Sequence, residues 1–162
     1  MKNASGKTNA VRLLENAGLL RRVFEYPTED GRIDARSIAE KIGVSPDQVF
    51  KTLVTECGVT HDHYVFVIPA AAELDLKRAA RAAACKNIAM IPQKQLLPLT
   101  GYVHGGCSPV GMKKLFPTFF DETAALYDFI CVSGGKVGIN VAVNPEELAQ
   151  FLGAAFAPLT AE

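Results

Sequence analysis

The chain has 162 residues, 49% of them hydrophobic and 21% charged, a balance that fits a folded globular domain and excludes a disordered or fibrous chain. Lys plus Arg and Asp plus Glu both number 17, so no global positive field draws the chain to nucleic acid, and any polyanion must be gripped locally. No apolar run approaches the roughly 20 residues that cross a bilayer, and Met1 to Thr8 lacks the apolar stretch of a secretory leader. The expectation is a single domain over 1–162, cytoplasmic, with no membrane contact.

In chain order, Ala10, Leu13, Leu14 and Ala17 keep the spacing of an amphipathic helix over 8–17, and Gly18 can end it. Residues 21–26 read as a strand closed by Pro27, and a polar loop follows. Asp34 can cap a short helix whose inner face is Ile38, Ala39 and Ile42. Ser45-Pro46-Asp47-Gln48 is a second helix start, with a cap, a proline at the first helical position and a glutamine three residues after the cap. The β-branched and aromatic runs 49–55 and 64–68 predict a hairpin. An alanine-rich helix over 73–84 and a short helix over 92–99 come next. Residues 116–120, 128–132 and 137–143 read as strands, the last two paired across a glycine turn at 133–136. Asn144-Pro145 opens a final helix with Leu148, Phe151 and Leu152 inward. The order is mixed, not a strict βαβα alternation. That predicts an α/β mixed (α+β) fold: a twisted, largely antiparallel, barrel-like sheet with surrounding helices.

Cys57, Cys85, Cys107 and Cys131 are widely spread with no CxxC pair, so they read as free thiols rather than as a zinc or redox motif. Cys57, His61 and His63 form a conceivable metal set, but a solvated hairpin tip explains them more simply, and no metal or cofactor is expected. Residues 35–53 have the outline of a helix-turn-helix with Gly43 in the turn. The residues after Asp47 turn apolar and β-branched, where a reading helix needs polar and basic groups, so duplex DNA is not an expected partner.

The most informative stretch is Gly101-Tyr-Val-His-Gly-Gly-Cys-Ser-Pro-Val-Gly-Met-Lys113, with four glycines and one proline among hydrogen-bond donors. With the turn Ser133-Gly-Gly-Lys136 it suggests two supple loops on one pocket that binds a polar, anionic small-molecule end. Lys51 shares a strand face with Val49 and Leu53; a lysine there either snorkels to solvent or enters a pocket, where it can bind phosphate or polarise a carbonyl. Tyr26 at a strand end is either a packing residue or part of a pocket mouth. Cys107 and Ser108 have no identifiable histidine–carboxylate partners, so they read as small residues of a tight loop rather than nucleophiles, and His104 as a loop residue rather than a base.

Taken together, Lys7-Thr-Asn-Ala10, Val49-Phe-Lys-Thr-Leu-Val54, Phe66-Val-Ile-Pro69, Glu73-Leu-Asp-Leu-Lys-Arg-Ala-Ala80, Met90-Ile-Pro92, the loop Thr100 to Lys114 and Val132-Ser-Gly-Gly-Lys136 resemble the YbaK/EbsC family of aminoacyl-tRNA deacylases, also called YbaK/ProX-type. The likeness covers nearly the whole chain in order. It implies hydrolysis of a mischarged aminoacyl-tRNA, with Cys-tRNA for proline the main substrate and Cys-tRNA(Cys) a second. The substrate's own thiol would attack its ester, so no protein nucleophile is needed. The partners it implies are the 3′ end of aminoacyl-tRNA and a prolyl-tRNA synthetase. The resemblance gives Lys51, Gly105 and Ser133 catalytic roles, and makes Tyr26, Gly106, Ser108 and Asn140 substrate-binding positions. Asn140 stands where the family often has an acidic residue. The alternatives are editing of another small amino acid such as alanine on tRNA(Pro), or a non-catalytic module that binds a tRNA end or a nucleotide.

Overall fold

The computed structural model describes residues 7–161. The first helix, α1 (Asn9–Asn16), starts where Thr8 Oγ1 accepts the N–H of Val11, and it buries Ala10, Val11 and Leu14. Strand β1 (Arg22–Glu25) follows, then α2 (Ala35–Ile42). The Asp34 carboxylate accepts the N–H of Ser37, and Gly43 ends α2 at φ 77, a left-handed conformation that glycine adopts without a Cβ clash. Both caps stand where the sequence puts them. Ser45 is also a cap, but it opens a single 3-10 turn, Pro46–Gln48, because β-branched Val49 and aromatic Phe50 then extend. With no second helix there, the helix-turn-helix reading of 35–53 has no recognition element.

Strands β2 (Phe50–Cys57) and β3 (His63–Pro69) form the expected hairpin. They are followed by α3 (Leu76–Ala82), β4 (Ile88–Met90), α4 (Leu96–Thr100), β5 (Thr118–Asp121), β6 (Ile130–Lys136), β7 (Ile139–Val143), α5 (Pro145–Leu152) and β8 (Ala155–Ala157). The short strands β4 and β8 have no counterpart in the sequence reading. The predicted glycine turn at 133–136 is instead the irregular end of β6: register shifts between Ser133 and Lys136, and the chain reverses at Val137–Gly138.

The strands form two sheets, β1-β7-β6 and β4-β2-β3-β5-β8. Pairing is antiparallel except between β3 and β5 and between β5 and β8. The sheet is therefore largely antiparallel, but it does not close into a barrel. The two sheets meet at one isolated parallel bridge, Val49 with Cys131. Between them lies the main core, built from Phe50, Val54, Val65, Val67, Phe120, Val132 and Val141, with α1 and α5 contributing Leu14 and Leu148.

The cysteines depart from expectation. Cys57, at the end of β2, is bonded to Cys85, just beyond α3, with Cα atoms 6.2 Å apart. Sequence spacing could not show this, because the two approach only when α3 folds back over the hairpin. Cys107 and Cys131 are free and buried. His61 Nδ1 and His63 Nε2 both turn to the Glu56 carboxylate, at 2.9 and 3.3 Å. Among the described residues no cluster of His, Cys, Asp or Glu could hold a metal ion, and no helix is long and apolar enough to cross a membrane.

Candidate functional site

Where the sheets part, a cavity of about 520 Å³ opens. Its floor includes Lys51, Thr52 and Leu53 of β2, Ser133 of β6 and Asn140 of β7. The glycine loop adds Gly105 and Cys107, while the segment leading into α2 adds Ile33 and Ile38. The volume lies in the range that holds a drug-sized ligand, and the walls are mainly apolar with a few polar groups.

Strand geometry puts these groups together. Side chains alternate along β2, so Lys51 lies on the face of Val49, which packs with Tyr26, Ile38 and Ala39 under α2. Lys51 is half-buried and makes no hydrogen bond or ion pair among the described residues. Burial among apolar groups pulls its pKa below the ordinary lysine value, and the Glu73 carboxylate partly opposes that shift. Ser133 and Asn140 face one another across the β6–β7 pair, so their side chains share one side of that sheet. Ser133 Oγ accepts the Gly135 N–H at 3.1 Å. Its own O–H is then available to a ligand.

The glycine loop is tied down rather than supple. Thr100 Oγ1 accepts the Tyr102 N–H at 3.0 Å, and its carbonyl accepts the Lys113 N–H at 3.0 Å. The Tyr102 hydroxyl donates to the Val110 carbonyl, and burial pushes its pKa up to about 12. A tight turn is closed by Gly106 N–H on the Val103 carbonyl at 2.9 Å. Gly105 has φ +86, and a Cβ there would lie 2.9 Å from Ile33 Cδ1. A Cβ on Gly106 would lie 2.9 Å from the Val137 nitrogen. The two glycine segments are thus in contact, and contact this close requires the missing side chain.

Four of the candidate residues, Lys51, Gly105, Ser133 and Asn140, line the one cavity. Three stand behind it. Tyr26 is buried against Ile38 and Val49, both cavity-lining, with the Lys41 ammonium 5.8 Å from its ring centre. Gly106 supports the loop against the β6–β7 turn. Ser108 is fully buried, with its oxygen accepting the Val110 N–H at 3.1 Å. Sequence reasoning missed Thr52, Arg36 and Leu96 as lining residues. Only Ile33 carried a signal, as a candidate for the apolar pocket residue that the family resemblance expects ahead of the Asp34 helix.

No activated protein nucleophile is present among the cavity's thiols and hydroxyls. Burial pushes the Cys107 thiol up to about 12, so it is not a thiolate at neutral pH. Ser108 is fully buried behind the cavity wall rather than on it. What the site offers is a partly desolvated cation and a serine hydroxyl beside the backbone of a fixed glycine loop, an arrangement suited to binding an anionic or carbonyl-bearing end and stabilising developing negative charge.

The comparisons with known proteins agree with this chemistry. Residues 31–151 match the aminoacyl-tRNA editing domain. A protein of Enterococcus faecalis (strain ATCC 700802 / V583), which carries the provisional name Cys-tRNA(Pro)/Cys-tRNA(Cys) deacylase EbsC, is 40% identical over 98% of this chain and 96% of its own length. A crystal structure provisionally described as a trans-editing enzyme for prolyl-tRNA synthetase superposes with a TM-score of 0.83 at 26% identity, covering 97% of this chain and 100% of that one. The hypothetical protein APE2540 shares the fold, with a TM-score of 0.83 at 22% identity over 93% of this chain and 97% of its own. With a family match over most of its length and a full-length relative at that identity, this chain belongs to the aminoacyl-tRNA editing domain family.

Proposed function

We propose that this chain, as one domain, deacylates mischarged tRNA in trans in the cytoplasm, with Cys-tRNA(Pro) the main substrate and Cys-tRNA(Cys) a second. The observation that carries the reading is a single cavity holding Lys51, Ser133 and Gly105 with no activated protein nucleophile. An ordinary esterase needs such a nucleophile or an activated water. A cysteinyl ester brings its own. Its sulfur attacks the ester carbonyl, the carbon–oxygen bond to the terminal ribose breaks, and the thiol proton ends on the released ribose oxygen. The product is a cyclic thioester, which water then opens.

In this reading the cavity folds the cysteinyl group so that sulfur and carbonyl carbon meet, and orientation alone supplies several kcal/mol, up to about 7–11 in reference systems. Loop N–H groups around Gly105 and the Ser133 hydroxyl face the developing oxyanion, while Lys51 holds the carbonyl or the terminal nucleotide. Tyr26, Gly106 and Ser108 keep those groups in place from behind, and Asn140 contacts the aminoacyl head. Editing of this kind is needed because cysteine and proline are close in size, and a pocket separates near-isosteres by only about 1–3 kcal/mol.

The test is deacylation of one tRNA(Pro) charged in turn with cysteine, serine and alanine. Only the cysteinyl ester should turn over rapidly. Equal rates on all three would replace the thiol mechanism with an activated water and favour editing of small amino acids generally. Binding without cleavage would make the chain a tRNA-end binding module. A neutral chain grips tRNA weakly, so we also propose a prolyl-tRNA synthetase as partner. Faster deacylation on adding the synthetase checks this.

A further inference from the structure

Buried polar atoms in folded proteins nearly always have hydrogen-bond partners, so each exception needs a reason. Among the described residues two buried side-chain oxygens have none: Thr52 Oγ1 and Asn140 Oδ1. They come from different sheets, yet both residues line the cavity described above. Two unsatisfied oxygens placed on one cavity by two separate sheets point to a ligand rather than to a packing defect.

The main chain at Thr52 adds to this. Val49 O accepts the Ala70 N–H at 2.8 Å, and the Cys57 N–H donates to Asp62 O at 2.8 Å, so odd-numbered residues along β2 turn their peptide groups toward β3. Even-numbered residues turn theirs the other way, as when Val54 O accepts the Ile91 N–H at 3.3 Å. On that side β4 pairs only with residues 55–57, and no strand pairs with Thr52. The Thr52 carbonyl and N–H therefore both face the parting of the sheets, where the cavity lies. Beside that one N–H the wall of the site holds three uncharged acceptors: Thr52 O, the Thr52 hydroxyl oxygen, which can also donate, and Asn140 Oδ1.

Acceptors select donors. Of the groups on an aminoacyl ester, the carbonyl accepts only and a thiol is a weak donor, whereas the α-amino group carries two or three N–H bonds. Ribose hydroxyls also donate, but depth separates the two ends of the substrate. Asn140 is only 4% exposed, while Arg36 and His104, on the same cavity, are exposed and mark its mouth. The nucleotide end belongs at the mouth and the amino-acid end inside. Resting on the functional reading above, we infer that Thr52 and Asn140 form the acceptor set for the α-amino group of the aminoacyl ester. The enzyme then acts on free aminoacyl esters and rejects those whose amine is missing or acylated. Asn140 does this without a charge, so the amine is held by hydrogen bonds rather than by an ion pair.

The test uses the full chain and two esters of the same tRNA, cysteinyl and 3-mercaptopropionyl. The second keeps the thiol and the carbonyl and lacks only the amine. Wild type should cleave the mercaptopropionyl ester about ten- to a hundredfold more slowly, the cost of leaving buried acceptors unpaired. Asn140→Leu and Thr52→Val should each slow the cysteinyl ester without slowing the mercaptopropionyl ester, so that the discrimination shrinks, and Asn140→Asp, which retains acceptor oxygens, should keep the discrimination. A structural role alone would slow both esters equally in each variant, and that result would overturn the assignment. Should Asn140→Leu not fold, Thr52→Val decides, since it removes a buried hydroxyl that bonds nothing and keeps the shape. Equal wild-type rates on both esters overturn the assignment while the deacylase reading stands; cleavage of neither overturns both.

Discussion

Replacing Lys51 by alanine separates a functional lysine from a packing one, because the two roles predict opposite balances of stability and rate. Lys51 is half-buried, has no hydrogen bond or ion pair among the described residues, and has a pKa below the ordinary lysine value through burial. A lysine with a depressed pKa costs the folded state stability while it is charged. The cost is present below the folded pKa and is relieved as pH rises from the folded pKa to the ordinary lysine value. Lys51→Ala at neutral pH should therefore leave the melting temperature unchanged or slightly raised. The rate should move strongly. A charge-assisted contact to the carbonyl or phosphate, lost in a water-poor site, is worth about 2.7–4 kcal/mol, or about 10²–10³-fold. Single-turnover deacylation of Cys-tRNA(Pro), read beside a thermal melt, measures both quantities. The wild-type rate should also fall at alkaline pH, below the range where an ordinary lysine loses its proton, because the ammonium is the working form. The variant should lack that fall. A variant with a near-wild-type rate and an unaltered melt would refute the argument, and Lys51 would then be a snorkelling side chain.

Three further outcomes are expected. Cys107→Ala should keep most of the activity, and iodoacetamide should inactivate slowly, since a thiol pushed up to about 12 leaves roughly one molecule in 10⁵ as thiolate at pH 7; a trapped acyl-Cys107 would contradict this. Gly106→Ala puts a Cβ 2.9 Å from the Val137 nitrogen and 3.1 Å from the Lys136 carbonyl carbon, backbone atoms that cannot yield cheaply, so it should cost about 1–3 kcal/mol in denaturant unfolding and most of the activity. Opening the Cys57–Cys85 bond with dithiothreitol, or by Cys85→Ser, should cost about 2–4 kcal/mol of stability while kcat/KM for Cys-tRNA(Pro) changes little, because the bond lies at the far end of β2 from Lys51.

Local chemistry was legible in the sequence. Asp34, Asn144 and Ser45 all cap, because a side-chain oxygen finds the nearby N–H whatever the tertiary fold. The length of the element behind each cap was not legible, since Val49 and Phe50 convert a helix start into a strand by packing on distant residues. Strand β8, Ala155-Phe-Ala157, carries no periodic signal and exists only because β5 offers it an edge. The motif residues on the cavity, Lys51, Ser133 and Asn140 among them, could be named in advance, but the part played by Thr52 could not. Thr52 looks like any strand threonine until the register shows which way its peptide faces, and the pairing of Cys57 with Cys85 depends on where α3 lies.

The cavity has two walls of different construction. One is the sheets and the hydrogen-bonded loop 100–113, where a side chain at Gly106 meets the backbone of residues 136–137 and one at Gly105 is strained by a φ of +86. The other is the α2 side, where Ile33 and Ile38 present hydrocarbon side chains that meet their neighbours by packing alone. Substitutions at Ile38 can resize the room left for an amino-acid side chain, while Ile33, packed on Gly105, has less freedom. A lineage could thereby retune which misacylated product it clears one aliphatic residue at a time, with the reactive frame inherited intact.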